Sequence, residues 1–86
     1  MTQRNRKPIH PGEILQAEFM KPMGLSANKL AQILEVPTNR ITMIVSGRRG
    51  ITAATALRLA DALGTTPEFW TNLQAHYNLE MAKRTC

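Results

Sequence analysis

Leu25 to Gly47 reads LSANKLAQILEVPTNRITMIVSG. Ser26 stands where a helix N-cap belongs, and Leu30, Ala31 and Leu34 follow it at helical spacing. Pro37 and Thr38 then open another helix, which carries Ile41, Ile44 and Val45 on one side and is closed by Gly47. Only Glu35-Val36-Pro37 separates the two. A joint that short cannot lay helices antiparallel; it leaves them crossing steeply, with Ala31 small where they approach most closely. Leu30, Ala31, Leu34, Val36, Ile41 and Ile44 fall where such a unit must be apolar. The stretch predicts a helix-turn-helix over residues 26–46.

The outward face of its second helix follows from geometry. At about 100° per residue, Ile41, Ile44 and Val45 fall together on one arc of the helix. The rest of the circumference holds, in order around the axis from Val45, Thr42, Ser46, Asn39, Met43 and Arg40. Short polar and long cationic side chains on one arc suit a DNA major groove. Asn39 can pair with adenine, Arg40 with guanine, and Met43 or the Thr42 methyl with a thymine methyl. Thr38 joins them, because recognition helices lead with their first turn. Phosphate contacts belong on the flanks. Ser26 and Asn28 sit at the amino end of the preceding helix, where open N–H groups favour an anion, with Lys29 beside them. Ser46 and the loop Gly47-Arg48-Arg49-Gly50 follow the recognition helix and add two cations between glycines. The bland alternative is a helical corner with a solvated polar face. Charge, size and spacing together favour DNA.

Outward from this motif the chain reads as helix throughout, with no alternating strand pattern and no Asn-Gly hairpin. The expected fold is all-α, five helices. Pro11 opens the first, with Ile14, Leu15 and Phe19 on one face and an end near Met20, before Pro22 and Gly24. Thr52 caps the fourth, whose Ala56, Leu57, Ala60 and Leu63 form a stripe ended by Gly64. Thr66-Pro67-Glu68 opens the fifth over 66–80. The predicted core is Ile14, Phe19, Leu30, Leu34, Ile41, Ile44, Leu57, Ala60 and Leu63. The fifth helix has more apolar surface than its neighbours can cover. Phe69 and Trp70 are expected to close the core, leaving Leu73, Tyr77 and Leu79 for a two-fold interface with a second copy. Residues 1–9 read as a flexible basic tail with Arg4, Arg6 and Lys7, residues 10–80 as one domain, and 81–86 as a second tail.

Composition narrows the function. Eleven Lys and Arg against six Asp and Glu leave a formal charge of +5, which favours a polyanionic partner. No apolar run spans a membrane and no signal-peptide pattern appears near Met1, so a cytoplasmic protein is expected. The single cysteine, Cys86, is the last residue and supports neither an internal disulfide nor a zinc site. His10 and His76 have no partners in sequence that would complete a metal shell; His10 reads as the residue entering the first helix. Glu13 and Glu18 lie about 140° apart around one helix and form no acid–base pair. Gly47 to Gly50 lacks the Lys-Ser/Thr ending of a phosphate loop. Neither an enzyme nor a cofactor is expected.

Three segments together resemble one family: HPGEIL at 10–15, LSANKLAQILEVPTNRITMIVSGRRGIT at 25–52 and TALRLADALGTTPEFWTNLQAHYNLE at 55–80. They are similar to the HigA-type antitoxins, within the wider Cro/repressor-like (XRE) helix-turn-helix proteins. The early HPGE combined with the late TPEFWTNLQ is far more specific than the helix-turn-helix alone. The resemblance implies a dimeric autorepressor that binds a palindromic operator. It also implies a partner, an mRNA-cleaving toxin of RelE-like fold. An orphan regulator without a toxin, and an interaction module that no longer binds DNA, are the alternatives. Two positions depart from the family's pattern. Many relatives carry Gln directly after the capping Ser, where this chain has Ala27. The turn often carries Gly where this chain has Glu35, and a left-handed backbone there would cost Glu roughly 1 kcal/mol relative to Gly.

Overall fold

The computed structural model describes residues 7–85, and these form five helices with no strand. Arg4 and Arg6 of the basic tail, and Cys86, lie outside the described residues.

Helix α1 covers residues 11–23. It begins where His10, in extended backbone, accepts the Gly12 N–H on Nδ1 at 2.9 Å. Pro11 follows at a position whose N–H would lack a helical partner in any case. The expected end near Met20 is too early: the helix continues through Pro22 to Met23. It does so by widening. Leu15–Met20 is π-helical, and the Lys21 N–H bonds the Gln16 carbonyl five residues back. The wider turn relieves the ring-against-carbonyl clash that stops an ordinary helix at proline. Gly24 then turns left-handed at φ 66°, and the Leu25 N–H closes the end on the Met20 carbonyl at 2.8 Å.

Helices α2 (Ala27–Leu34) and α3 (Thr38–Val45) form the helix-turn-helix. Helix α4 is Ala53–Leu63, capped by the Thr52 hydroxyl oxygen, which accepts the Thr55 N–H. Helix α5 is Pro67–Thr85, capped by Thr66 through the Phe69 N–H at 3.1 Å. It therefore passes Glu80, where the sequence reading placed its end. Nothing after Glu80 breaks a helix, and Lys83 pairs back to Glu80 at 3.2 Å.

The core gathers Leu15, Leu30, Leu34, Ile41, Ile44, Ile51, Ala56, Leu59 and Trp70. Leu30, Leu34, Ile41, Ile44 and Ala60 are buried as expected, while Ile14, Phe19 and Leu63 are only half-buried. Leu57 is a correction: it is 60% exposed. The buried stripe of α4 runs through Thr55, Ala56, Leu59 and Ala60, and Leu57 points about 130° away from its middle. Trp70 is fully buried and its indole N–H donates to the Thr65 hydroxyl at 2.8 Å. The Phe19 and Phe69 rings lean on it at 5.2 and 4.9 Å, but Phe69 itself stays at the surface.

One close approach positions the functional face. A Cβ on Gly12 would run into the Ile44 carbonyl and stand 3.0 Å from the Val45 Cα. Only glycine lets α1 lie directly against the back of α3. The recognition helix is thus braced from behind by the backbone of α1.

Candidate nucleic-acid interface

Helix α3 presents Thr38, Asn39 and Thr42 to solvent, with Arg40 and Met43 half-buried. Asn39, Thr42 and Met43 lie on one arc of the helix with Thr38 and Arg40 at its two ends, and their chemistry differs. The Thr42 hydroxyl donates to the Asn39 carbonyl at 3.2 Å. The Thr38 hydroxyl donates to the Asn28 Oδ1 at 2.9 Å. Both hydroxyl protons are committed inside the protein, so these threonines offer outward a lone pair and a methyl group. The Thr38–Asn28 bond ties the start of α3 to the start of α2. With its oxygen engaged, Asn28 keeps its amide N–H groups for an external acceptor.

The amino end of α2 is similarly defined. The Ser26 Oγ accepts the Lys29 N–H at 3.0 Å, leaving its own proton as a donor toward an anion. Ala27 is half-buried, and its side chain offers no donor.

Between the helices, Glu35 has φ 60°, the left-handed conformation that glycine adopts without a Cβ clash. Its N–H reaches the Gln32 carbonyl at 3.2 Å and the Val36 N–H reaches the Ala31 carbonyl at 3.0 Å, closing a Schellman end. Arg58 of α4 adds a bond from its guanidinium to the Leu34 carbonyl at 2.8 Å, satisfying another orphan acceptor of α2.

After α3, Gly47 turns left-handed at φ 81°. The N–H groups of Arg48 and Arg49 both donate to the Met43 carbonyl, at 2.9 and 3.2 Å. The Ser46 hydroxyl donates to that same carbonyl at 3.2 Å, so of the proposed phosphate ligands Ser46 has its proton already engaged. Arg48 and Arg49 are exposed. The far side of the loop is held by residues that the sequence reading missed. The Ile51 N–H donates to the Gln74 Oε1 of α5 at 2.7 Å. A signal existed: Trp70, Leu73, Gln74 and Tyr77 fall at i, i+3, i+4 and i+7, an inward stripe with one polar member. Gly12 and Arg58 were missed too. A glycine inside a first helical turn hints at close packing, whereas nothing local marks Arg58.

His10 is buried between α1 and α5, with the Tyr77 ring edge-on at 4.8 Å. Burial holds its pKa below the ordinary histidine value, against the smaller opposing pull of the Glu13 carboxylate. Of the proposed interface residues, Tyr77 is therefore partly engaged within its own chain. Leu73 is half-buried against the core and sides a shallow groove with Ile9, Ile14 and His76. Leu79 is 56% exposed. Among the described residues no His, Cys, Asp or Glu side chains gather as a metal site, and no helix is long and apolar enough to cross a membrane.

A steep two-helix unit with a polar outward face, flanked by a capped helix start and an arginine loop, defines a helix-turn-helix protein. Residues 17–70 match the helix-turn-helix family, and the chain belongs to it. The family consists of DNA-binding regulators and antitoxins, not enzymes. The chain is 52% identical to virulence-associated protein I of Dichelobacter nodosus over 94% of its own length and 76% of the relative's. It is 57% identical to an addiction module antidote protein of the HigA family from Coxiella burnetii, with TM-score 0.87 over 92% of this chain and 86% of that one. The antitoxin HigA of Pseudomonas aeruginosa, solved with the higBA promoter, is 42% identical, with TM-score 0.89 over 91% and 85%.

Proposed function

We propose that this chain is a dimeric antitoxin that represses its own operon from a palindromic operator and neutralises an mRNA-cleaving toxin of RelE-like fold. What supports the DNA part is the polar outward face of α3, with Ser26, Asn28 and Lys29 at the start of α2 and the exposed Arg48 and Arg49 directly after α3. The similarity to an antitoxin solved on its promoter supports the same reading. Base contacts fall to Asn39 and Arg40, with Thr38, Thr42 and Met43 supplying apolar and acceptor surface. Phosphate contacts fall to the flanks. Two copies would place their α3 helices in successive major grooves about 34 Å apart, joined through Leu73, Tyr77 and Leu79. A basic antitoxin gains no long-range steering toward a basic ribonuclease, so the toxin surface would be apolar or locally acidic. The protein would act in the cytoplasm, where its operator lies.

Selection of bound sequences from a random pool tests this directly, and an enriched inverted repeat is expected. Asn39→Ala and Arg40→Ala should then lose about 1–3 kcal/mol on that repeat alone. Arg49→Ala should weaken repeat and random duplex alike and flatten the salt slope by roughly one unit. No enriched repeat, or an Arg40→Ala chain that binds every sequence as before, would leave a helical interaction module. Sedimentation at micromolar concentration checks the dimer, which a 9.6 kDa species would refute. A neighbouring small basic reading frame, toxic unless co-expressed with this chain, separates the antitoxin from an orphan regulator.

A further inference from the structure

We propose that Gln74 is a positioning residue for DNA binding: from α5 it fixes the loop that carries Arg48 and Arg49, so that both guanidinium groups meet phosphate from an ordered backbone. The inference rests on the operator-binding reading above.

Two observations of different kinds place Gln74 in this role. The first is polar. The Ile51 side chain is 4% exposed and roots the loop in the core, and its N–H donates to the Gln74 Oε1 at 2.7 Å. The Gln74 amide nitrogen in turn donates to the Asn78 Oδ1 at 2.9 Å, which fixes the direction in which the amide faces. The second is steric. A Cβ on Gly50 would stand 3.0 Å from both the Cδ and the Oε1 of Gln74. The amide therefore lies directly on the loop backbone, and Gly50 is the residue that leaves it room. The other end of the loop is already tied by the paired Arg48 and Arg49 N–H bonds to the Met43 carbonyl. Between these anchors the chain has few alternative paths, and both arginine side chains project from it into solvent.

Without Gln74 the Ile51 N–H would be a shielded donor with no partner, and the loop would open to let water reach it. Ordering two arginines on phosphate would then also require ordering the backbone beneath them. The loss would fall on phosphate contacts and so would not depend on base sequence.

The test measures binding of the full chain to operator and to random duplex across a salt series, well below the melting temperature. Gln74→Leu is expected to weaken both by about three- to tenfold, the scale of one lost hydrogen bond, with a shallower salt slope. In an Arg48→Ala/Arg49→Ala background the same change should alter affinity by less than about twofold, because the groups it positions are gone. Gly50→Ala, which crowds the same amide from the loop side, should repeat the signature in a chain that keeps Gln74. The Ile51 amide gives an independent readout by hydrogen exchange. It should exchange faster in Gln74→Leu and stay slow in Gln74→Glu, whose side-chain oxygen still accepts. An equal loss in both backgrounds, or an Ile51 amide that stays protected in Gln74→Leu, would overturn the proposal. If the unaltered chain binds neither duplex, the operator-binding reading falls and takes this one with it. If it binds and Gln74→Leu binds equally well, this proposal alone falls.

Discussion

The turn before α3 and the loop after it are fixed in different ways. The turn at 35–37 is closed locally, by a left-handed Glu35 and bonds back to Ala31 and Gln32; Arg58 adds a bond from farther along the chain, and Val36 packs against the core. The loop at 46–51 depends on residues far along the chain in both directions. Gly12 sets the approach of α1 at Ile44, His10 and Gly47 line one pocket, and Gln74 holds Ile51. Sensitivity to substitution should therefore be greater at the loop than at the turn. A locally closed turn tolerates an unfavourable residue at modest cost. A loop assembled from three elements fails when any one of them shifts.

The largest expected effect comes from the far side. Gly12→Ala puts a methyl group into the Ile44 carbonyl, which is backbone and cannot rotate away. Separating α1 from α3 should destabilise the domain by about 3 kcal/mol, a large part of what so small a core supplies. Thermal denaturation should show a fall of more than about 10 °C. A chain that melts within about 2 °C of the parent would mean that α1 can slide, and the contrast between loop and turn would be broken.

The same contrast explains what was legible in the sequence. The local side could be read: Ser26 and Thr52 as caps, the three-residue joint, Gly24 and Gly64 as stops, and the apolar faces of α2 and α3 all depend on neighbours within one or two turns. The question of positive φ at residue 35 is raised by the family resemblance, in which the turn often carries Gly. The misreadings involve tertiary information. Leu57 lies on a plausible stripe, but which stripe of α4 is buried is decided by α2 and α5. Pro22 stops an ordinary helix, but α1 passes it through π-helical turns. At the candidate site, residue types identified the outward face, while the Thr38–Asn28 bond and the Gln74 anchor require distant elements to be in place. Helix α5 was hardest, since its apolar residues spread around the axis and no single face announces itself.

His10 gives the next prediction, of intermediate size. Its Nδ1 accepts the Gly12 N–H, which requires that nitrogen to be unprotonated in the folded chain. Burial lowers the folded pKa, and Glu13 opposes more weakly. In the unfolded chain the histidine titrates at about 6.5. Above that value both states are neutral and stability is unaffected by this group. As pH falls below it the unfolded chain takes up a proton that the folded chain refuses, so stability declines until the lowered folded pKa is reached. The slope can be at most about 1.4 kcal/mol per pH unit. Denaturant titrations at pH 7.5, 6.5 and 5.5 should show the decline, and His10→Gln should flatten it while lowering stability throughout. A His10→Gln chain with the same pH dependence would place the titration elsewhere.

The smallest expected effect lies at the local turn and runs in the stabilising direction. Glu35 adopts φ 60°, ψ 46°, a conformation open to glycine without a Cβ clash and to asparagine at reduced cost. Its side chain is exposed and no core packing is lost by removing it. Glu35→Gly should therefore raise stability by about 1 kcal/mol, offset in part by the greater freedom of glycine in the unfolded chain. Glu35→Ala separates conformation from charge, because alanine also carries a Cβ and should leave stability within about 0.5 kcal/mol of the parent. If Ala stabilises as much as Gly, the gain comes from removing a carboxylate and not from relaxing the backbone. DNA binding distinguishes the two again. Loss of a negative charge beside the groove should strengthen binding equally in the Gly and Ala chains, most clearly at low salt. A gain confined to Gly would instead trace to how the turn sets the angle between α2 and α3.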